Sequence, residues 1–382
     1  MKVALCYDRV SKFGGAERVL AALHDLWPDA PLFTLNYDKQ HATWAHGWDV
    51  RTSFLDTIPF LKKRHELFPP LAAVGWEQFS FHGYDVVISI TSAEAKSIIV
   101  PPNTLHICYC LTPTRYYWSG YYDYLSQPGL GKLSRLVRKV FPILASVLRV
   151  QDFIHAQRPH ELVAISEEVR ERIEKYYRRP SLKIYPPVNI PPIDIQERIE
   201  KEYFLVVSRL VPYKRIDIVV DAFNALGWPL VIVGTGSEKN RLLQKAAKNI
   251  HFVGFVSDEE LATYYAKAVA VVFPTHEDFG IVPLEAQAHG VPVVALKAGG
   301  VLETVIDDKT GVFFEEQNTD SLVAKLRSLP VDATWESIKA YFNGFTAQEC
   351  RAQAERFSSA HFKALFASMV EEKHAHFLKK TL

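Results

Sequence analysis

The residues best suited to chemistry lie in one stretch, His276-Glu277-Asp278-Phe279-Gly280-Ile281-Val282-Pro283-Leu284-Glu285-Ala286. An apolar run over 269–273 precedes it and reads as a strand. The stretch therefore sits at a strand's C-terminal end, where open α/β sheets bind ligands. Pro283 suits the first turn of a helix, where a missing N–H costs nothing. The amides near Phe279, Gly280, Ile281 and Val282 then form a helix N-terminus, which attracts phosphate through unpaired N–H groups and the helix dipole. Glu277 stands on the loop before that helix, and Glu285 lies one turn inside it. Carboxylates make poor phosphate ligands and good acceptors for hydroxyls, so the pair fits the hydroxyls of a sugar and a ribose. The plainer alternative is two solvated glutamates.

A second element is Val206-Val207-Ser208-Arg209-Leu210-Val211-Pro212-Tyr213-Lys214-Arg215. A strand ends at Ser208, and cations follow within one loop. Arg209 can fork two phosphate oxygens and Lys214 adds a point charge. A diphosphate leaving group gains negative charge as its bond breaks, and cations held there stabilise that charge. Glycines supply a third element. Gly14-Gly15 follows the first strand and opens a helix, allowing close approach of backbone to ligand. Gly234-Thr235-Gly236 follows another strand, but Lys239 occupies the third glycine position of a dinucleotide fingerprint, which argues against a dehydrogenase. Walker A is absent, and so is any Asp-x-Asp pair of the kind that holds a metal on a diphosphate. The expected site therefore uses no metal and no cofactor, with Arg209 and Lys214 standing in for the cation.

The elements that must position these residues read as two α/β series. Strands are expected at 3–7, 31–35, 86–91, 106–110 and 162–165, with helices such as 16–26 and 167–177 between them. The strands are continuous Val/Ile/Leu runs, as strands buried on both faces are. A proline-rich stretch, Tyr185-Pro186-Pro187-Val188-Asn189-Ile190-Pro191-Pro192, cannot continue a helix or a central strand and marks a linker. A second series follows, with strands at 203–208, 230–233, 251–253, 270–273 and 291–296 and helices such as 217–226 and 259–267. Both series fit a doubly wound α/β domain. The chain is expected to divide into residues 1–190, 191–350 and a C-terminal helical segment 351–382. Helix in the last segment begins near 346 and carries an apolar stripe of Phe357, Phe362 and Phe366. A cleft between two such domains is a natural ligand site.

Whole-chain properties bound the partners. The 382 residues carry a formal net charge of +1, so the chain as a whole is not built to hold nucleic acid. Four cysteines, Cys6, Cys108, Cys110 and Cys350, lack zinc-ligand spacing and read as small buried hydrophobes of a reducing compartment. The start, MKVALCYDRV, has too short an apolar core for a signal peptide and reads as a strand. No apolar run approaches the roughly 20 residues that span a bilayer. A cytoplasmic protein is expected.

At these residues the chain resembles the family 4 retaining glycosyltransferases of the GT-B fold, over nearly its whole length. The family's E-x7-E motif maps onto Glu277 and Glu285, its S-R-x-x-x-x-K loop onto Ser208, Arg209 and Lys214, and its early glycine loop onto Gly14 and Gly15. The stretch from Glu277 to Gln287, the later Ala298-Gly299-Gly300-Val301-Leu302-Glu303-Thr304, and Thr112-Pro113-Thr114-Arg115-Tyr116-Tyr117-Trp118 are similar to the O-antigen and exopolysaccharide mannosyltransferase subgroup. The resemblance implies two Rossmann-like domains facing a central cleft and a C-terminal helix that crosses back onto the first domain. It implies a nucleotide-sugar donor such as GDP-mannose, transfer with retention, and a glycan or polyprenyl-linked acceptor. On this reading Glu277, Arg209 and Lys214 are catalytic. Gly15, Gly236, Phe255, Phe279, Gly280, Ile281, Val282 and Glu285 bind the donor, with 254–256 beside the base. Leu111, Thr112, Arg115 and Tyr116 serve the acceptor side.

One departure stands out. The subgroup carries His before Thr-Pro-x-Arg-Tyr, where this chain has Leu111, and Ser119 replaces the Asp that usually follows Trp118. Another group substitutes, the donor sugar differs, or activity is weak; His106, five residues upstream at a strand start, is a poor substitute. Two rival functions follow: a nucleotide-sugar epimerase of the same fold, and a catalytically silent sugar-nucleotide-binding subunit. A last feature is the basic amphipathic segment 130–150. Its cations are Lys132, Arg135, Arg138, Lys139 and Arg149, and its apolar face is expected at Leu133, Leu136, Val137, Val140 and Phe141. Such a segment suits an anionic membrane surface, reached peripherally from the cytoplasm. Lys62, Lys63 and Arg64 beside Phe60 and Leu61 extend the same expectation.

Overall fold

A computed structural model describes residues 1–58, 69–126, 134–192, 200–329, 331–332 and 334–381. The chain forms two compact units, Met1–Pro187 with Phe362–Leu382, and Val188–His361. The division falls inside the proline stretch. The 350/351 boundary expected from sequence falls inside a helix, Ala347–Glu355.

In the first unit, β1 (Val3–Tyr7), β2 (Leu32–Thr34), β3 (Val50–Thr52), β4 (Val86–Thr91), β5 (Leu105–Cys110), β6 (Glu161–Ala164) and β7 (Leu182–Lys183) make one parallel sheet in the order β3-β2-β1-β4-β5-β6-β7. The chain winds outward from β1 to β3, then returns to place β4 beside β1. Central strands β1, β4 and β5 are wholly buried, which is why they read as unbroken apolar runs. Edge strands β3 and β7 are mostly open to solvent and carry no such run, so sequence periodicity does not reveal them.

The C-terminal helix, Ser359–Thr381, packs in this unit. Phe362 and Phe366 set their rings 5.9 and 5.7 Å from Tyr109 of β5, and Phe366 also meets Trp27. Lys363 pairs with Asp25 and Lys373 with Glu161. The expected phenylalanine stripe is therefore divided, because Phe357 belongs to the second unit and packs on Phe279 at 5.7 Å.

The second unit is a six-stranded parallel sheet: β8 (Tyr203–Val207), β9 (Leu230–Val233), β10 (Ile250–Gly254), β11 (Ala268–Phe273), β12 (Val293–Leu296) and β13 (Gly311–Phe314), in the order β10-β9-β8-β11-β12-β13. The winding reverses between β8 and β11. Helices fill the crossovers on both faces. The helix Asp258–Lys267 begins with a reciprocal capping box between Ser257 and Glu260. The four cysteines are buried in no disulfide. Burial pushes the Cys108 thiol up to about 11 and that of Cys350 up to about 12, so both behave as small core residues.

Candidate active site

The β8/β11 reversal opens a crevice at the carboxyl ends of the second unit's strands, and the loops that follow these two strands share it. After β8, Pro212 starts a single helical turn, Pro212–Lys214, and Arg215 takes a left-handed backbone at φ 53° that reverses the chain. After β11, Gly280 at φ 88° caps the helix Ile281–Ala288. The two loops are tied together. Thr275 donates its hydroxyl to the Lys214 carbonyl at 3.0 Å, and the Lys214 ammonium forms an ion pair with Glu277 Oε1. A cation from one loop and a carboxylate from the other thus meet at the reversal, both half-buried. Arg209 is exposed on the same loop and donates to the Tyr213 hydroxyl. The Tyr213 ring lies under both cations, 5.8 Å from Arg209 and 5.4 Å from Lys214.

Neighbouring loops fix this pair. The loop after β12 brings Gly299, at φ 76°, against Glu277, and the Gly300 amide donates to the Glu277 carbonyl at 2.9 Å. A Cβ on Gly300 would collide with the Phe279 backbone and the Asp278 carbonyl. Helix Ala347–Glu355 braces the site helix from behind: Arg351 donates to the Ala288 carbonyl, while Gln353 and Gln287 both donate to the Thr304 carbonyl. The role of Gly299 and Gly300 was legible only as a shared motif. That of Tyr213, Arg351 and Gln353 left no signal in the spacing.

The remaining donor-side residues fall into place unevenly. Glu285 lies half-buried one turn into the helix Ile281–Ala288, whose N-cap Gly280 supplies no side-chain cap. Phe279 departs from expectation, since its ring is buried against Phe357. Gly236 is exposed after β9, and Phe255, at the end of β10, is 85% exposed.

The first unit has the matching reversal between β1 and β4. Asp8, just past β1, accepts from the Thr91 hydroxyl and from the amides of Ser92, Ala93 and Ala95, at 2.8 to 3.1 Å, and so shapes the turn after β4. Arg9 pairs with Glu94 of that turn at 2.9 Å. Gly14 caps the helix Gly15–Leu26 in extended backbone, and Gly15 is its first residue. The Leu111–Trp118 loop follows β5 and is locked from below. Lys96 and Asp152, 2% and 5% exposed, pair at 2.6 Å, and Asp152 also accepts from Thr114, Trp118 and Tyr177. Leu111 is half-buried, its amide donating to the Thr91 carbonyl; Thr112 is buried, with Arg172 donating to its hydroxyl at 3.4 Å. Arg115 and Tyr116 are half-buried, the Tyr116 ring lying against Tyr117. His106 is no substitute for the missing imidazole. It is fully buried in β5 beside Ser89, and burial pulls its pKa down to about 3.

The helix Ser134–His155 corrects the amphipathic reading. Phe141 does not face outward but packs on Tyr121 and Tyr124. Arg149 is held by the Tyr117 carbonyl and the Tyr121 ring. The outward apolar face is instead Val140, Ile143, Val147, Val150 and Ile154, each at least half exposed. Residues 60–64, Lys132 and Leu133 lie outside the described residues, as do the side chains of Arg135, Leu136 and Val137. Among the described residues no cluster of His, Cys, Asp and Glu has metal-binding geometry, and no helix is long and apolar enough to cross a membrane.

Known proteins share both sequence and fold with this chain. Residues 192–345 match the family model Glycosyl transferases group 1. An uncharacterized glycosyltransferase of Methanocaldococcus jannaschii is 27% identical over 174 residues, 44% of this chain and 49% of that protein. A GDP-mannose-dependent alpha-(1-6)-phosphatidylinositol monomannoside mannosyltransferase of Mycobacterium tuberculosis is 34% identical over 151 residues, 35% of this chain and 39% of that one. The chain thus spans about half the length of these curated relatives, or less. Among solved structures, Anabaena Alr3699/HepE in complex with UDP aligns over 97% of this chain and 100% of its own, with a TM-score of 0.69 at 20% identity. The chain therefore has the GT-B fold of two Rossmann-like domains, and residues 192–345 are similar to the group 1 glycosyltransferases.

Proposed function

We propose that this protein is a retaining, metal-independent glycosyltransferase that moves a hexose from a nucleoside-diphosphate sugar to a hydroxyl acceptor. The observation that carries this reading is the Lys214–Glu277 pair at the β8/β11 reversal. Arg209, Lys214 and the amides of Gly280, Ile281 and Val282 hold the diphosphate. Glu277 accepts from hydroxyls of the transferred sugar, and Glu285 from those of the ribose. In the reaction the bond from the anomeric carbon to the phosphate oxygen breaks, and its electrons pass to the diphosphate beside Lys214 and Arg209. The acceptor oxygen bonds to the anomeric carbon on the face the diphosphate leaves, and the acceptor proton passes to the leaving phosphate. Mannose from GDP-mannose is the donor best supported, through the mycobacterial relative. The acceptor is a glycan or lipid-linked glycan of surface polysaccharide synthesis.

Glu277→Ala and Lys214→Ala are expected to abolish transfer while leaving the unfolding curve within about 0.5 kcal/mol of wild type, since both lie on loops. Wild-type turnover in either variant overturns the site. Activity is expected to survive EDTA; loss restored by Mg²⁺ or Mn²⁺ overturns metal independence. Leu111 favours one rival, the catalytically silent subunit. Incubation with donor alone and then with acceptor separates transferase, epimerase and silent binder by their products.

The bilayer is the partner for the outward face of helix Ser134–His155. Val140, Ile143, Val147, Val150 and Ile154 recur every three or four residues and so share one side. The helix's exposed charges are cationic, Arg138 and Lys139, while its one acid, Asp152, is buried with Lys96. That combination suits anionic lipid, with each cation contributing about 1 kcal/mol near the surface. The protein would then work peripherally on the cytoplasmic leaflet. Sedimentation with phosphatidylglycerol vesicles at low salt is expected to carry it down, and Ile143→Asp with Val150→Asp to release it. Wild-type protein wholly in the supernatant overturns the membrane reading.

A further inference from the structure

Two strands away from the phosphate loop of β8, the carboxyl edge of β10 carries a group that the reading above leaves unused. We propose that Lys239 reads the nucleobase of the donor, selecting guanine and uracil, which carry a carbonyl oxygen (O6, O4) where adenine and cytosine carry an exocyclic amine. The inference rests on the donor-binding reading and adds the determinant of base class.

Strands in a sheet stand about 4.8 Å apart, so the end of β10 lies roughly 10 Å from that of β8 along the edge. That is about the reach of a nucleotide from its diphosphate to its base. The floor between the two is stripped of side chains. Gly254 ends β10 at φ 94°, and its carbonyl accepts from the Gly234 amide at 2.7 Å. A Cβ on Gly234 would run into the Ser208 carbonyl, and one on Gly236 into that of Leu210. These two glycines let the loops after β8 and β9 pack backbone against backbone, while Gly254 leaves the space beside Lys239 free of a side chain.

Lys239 opens the helix Lys239–Lys245 beside this floor, and its ammonium lies 3.7 Å from where a Cβ on Gly254 would stand. The side chain is half-buried. Its neighbour Glu238 is engaged with Arg241, and no described carboxylate lies within ion-pair distance of Lys239. Its three donors thus have no described protein acceptor and are left to water or a ligand. Phe255, next to Gly254, leaves its ring 85% exposed. An exposed ring and an unpaired cation flanking a bare floor form a stacking surface with one directional donor. Stacking tolerates every base. The ammonium does not: it bonds O6 and N7 of guanine or O4 of uracil, whereas the exocyclic amines of adenine and cytosine oppose it.

Calorimetric titration of GDP, UDP, ADP and CDP into the full chain tests this. Wild type is expected to bind GDP or UDP about tenfold or more tightly than ADP and CDP, as one charge-assisted hydrogen bond warrants. Lys239→Ala and Lys239→Gln are expected to bring the four within about threefold of one another while keeping the ADP affinity. Phe255→Ala is expected to weaken all four alike and leave their ratio intact. A Lys239 variant that unfolds as wild type does and retains the wild-type ratio overturns the proposal, as does a wild type that binds all four equally. Failure to bind any nucleotide, with inorganic pyrophosphate also unbound, overturns the donor-binding reading itself.

Discussion

Replacing Lys96 by Met should unfold the first unit's Leu111–Trp118 loop before it touches anything else. The Asp152 carboxylate is 5% exposed and accepts from four donors: Lys96 at 2.6 Å, Thr114 and Trp118 each at 2.7 Å, and Tyr177 at 2.9 Å. Met matches the length of the lysine stem, so the variant removes a charge and adds no cavity. What remains is a buried carboxylate with three neutral donors. Breaking one partner of such a pair costs about 3 to 5 kcal/mol, because the surviving charge is left uncompensated. That is a large share of the roughly 5 to 15 kcal/mol that holds a domain folded. Asp152→Asn on the wild-type background should be costly for the mirror-image reason, stranding the ammonium. The double variant should recover at least about 2 kcal/mol relative to the sum of the two, since the amide still accepts from Thr114 or Trp118 and no bare charge is left. Unfolding of a two-unit chain is not a single transition. The measurement is therefore hydrogen exchange at the amides of β5 and of the second unit's β11 in the same sample. The first should lose protection and the second should not. Additive single-variant effects, or equal loss in both strands, would refute the argument.

Further outcomes are expected. Gly300→Ala should weaken donor binding about tenfold or more, because the new methyl must displace the Phe279 backbone that carries the site helix, a strain of about 1 to 3 kcal/mol; thermal-shift titration with GDP-mannose reads it. Stability should be flat above about pH 6.5 and fall as the pH drops toward 3. The unfolded chain protonates His106 near 6.5, while burial holds the folded imidazole at about 3, a loss on the order of 4 kcal/mol across that window. His106→Asn should remove the largest single part of this slope from urea titrations run between pH 7 and 4, His155, which burial pulls down to about 4, supplying a further part of the same sign. Leu111→His should raise turnover or leave it unchanged, since the position is half-buried rather than core; a variant that aggregates would place Leu111 in the packing instead.

How much of this was legible beforehand depended on burial. Strands with both faces covered, such as β4 and β11, announce themselves as apolar runs. Edge strands β3 and β7 are too short and too wet to do so, and β13, four residues at one edge of the second unit's sheet, hides behind the turn that precedes it. The same physics governs the site. Arg209, Lys214, Glu277 and Glu285 stand at fixed offsets from strand ends, so their neighbourhood could be read from spacing. Their mutual contact could not: that Lys214 meets Glu277 depends on β8 lying beside β11, a fact of sheet order. Phe279 shows the opposite error, a ring credited to the ligand that packs on Phe357 across some eighty residues of chain. The outward face of helix Ser134–His155 was missed for a third reason. Periodicity finds an apolar stripe but not which stripe the rest of the fold covers, and here Phe141, Ala145 and Leu148 turn inward while five branched residues stay out.

The discontinuity of the first unit bears on how the protein is born. Tyr109 of β5 leaves the ribosome about 250 residues before the rings that cover it, Phe362 and Phe366. The second unit, although synthesised later, has every strand of its sheet in hand by Phe314 and its bracing helix by Glu355. The chain must therefore hold a nascent domain with an uncovered aromatic flank while a complete one assembles behind it. Pausing before Phe362 and Phe366 emerge would leave that flank exposed for longest, and a chaperone that guards this protein would find its substrate there.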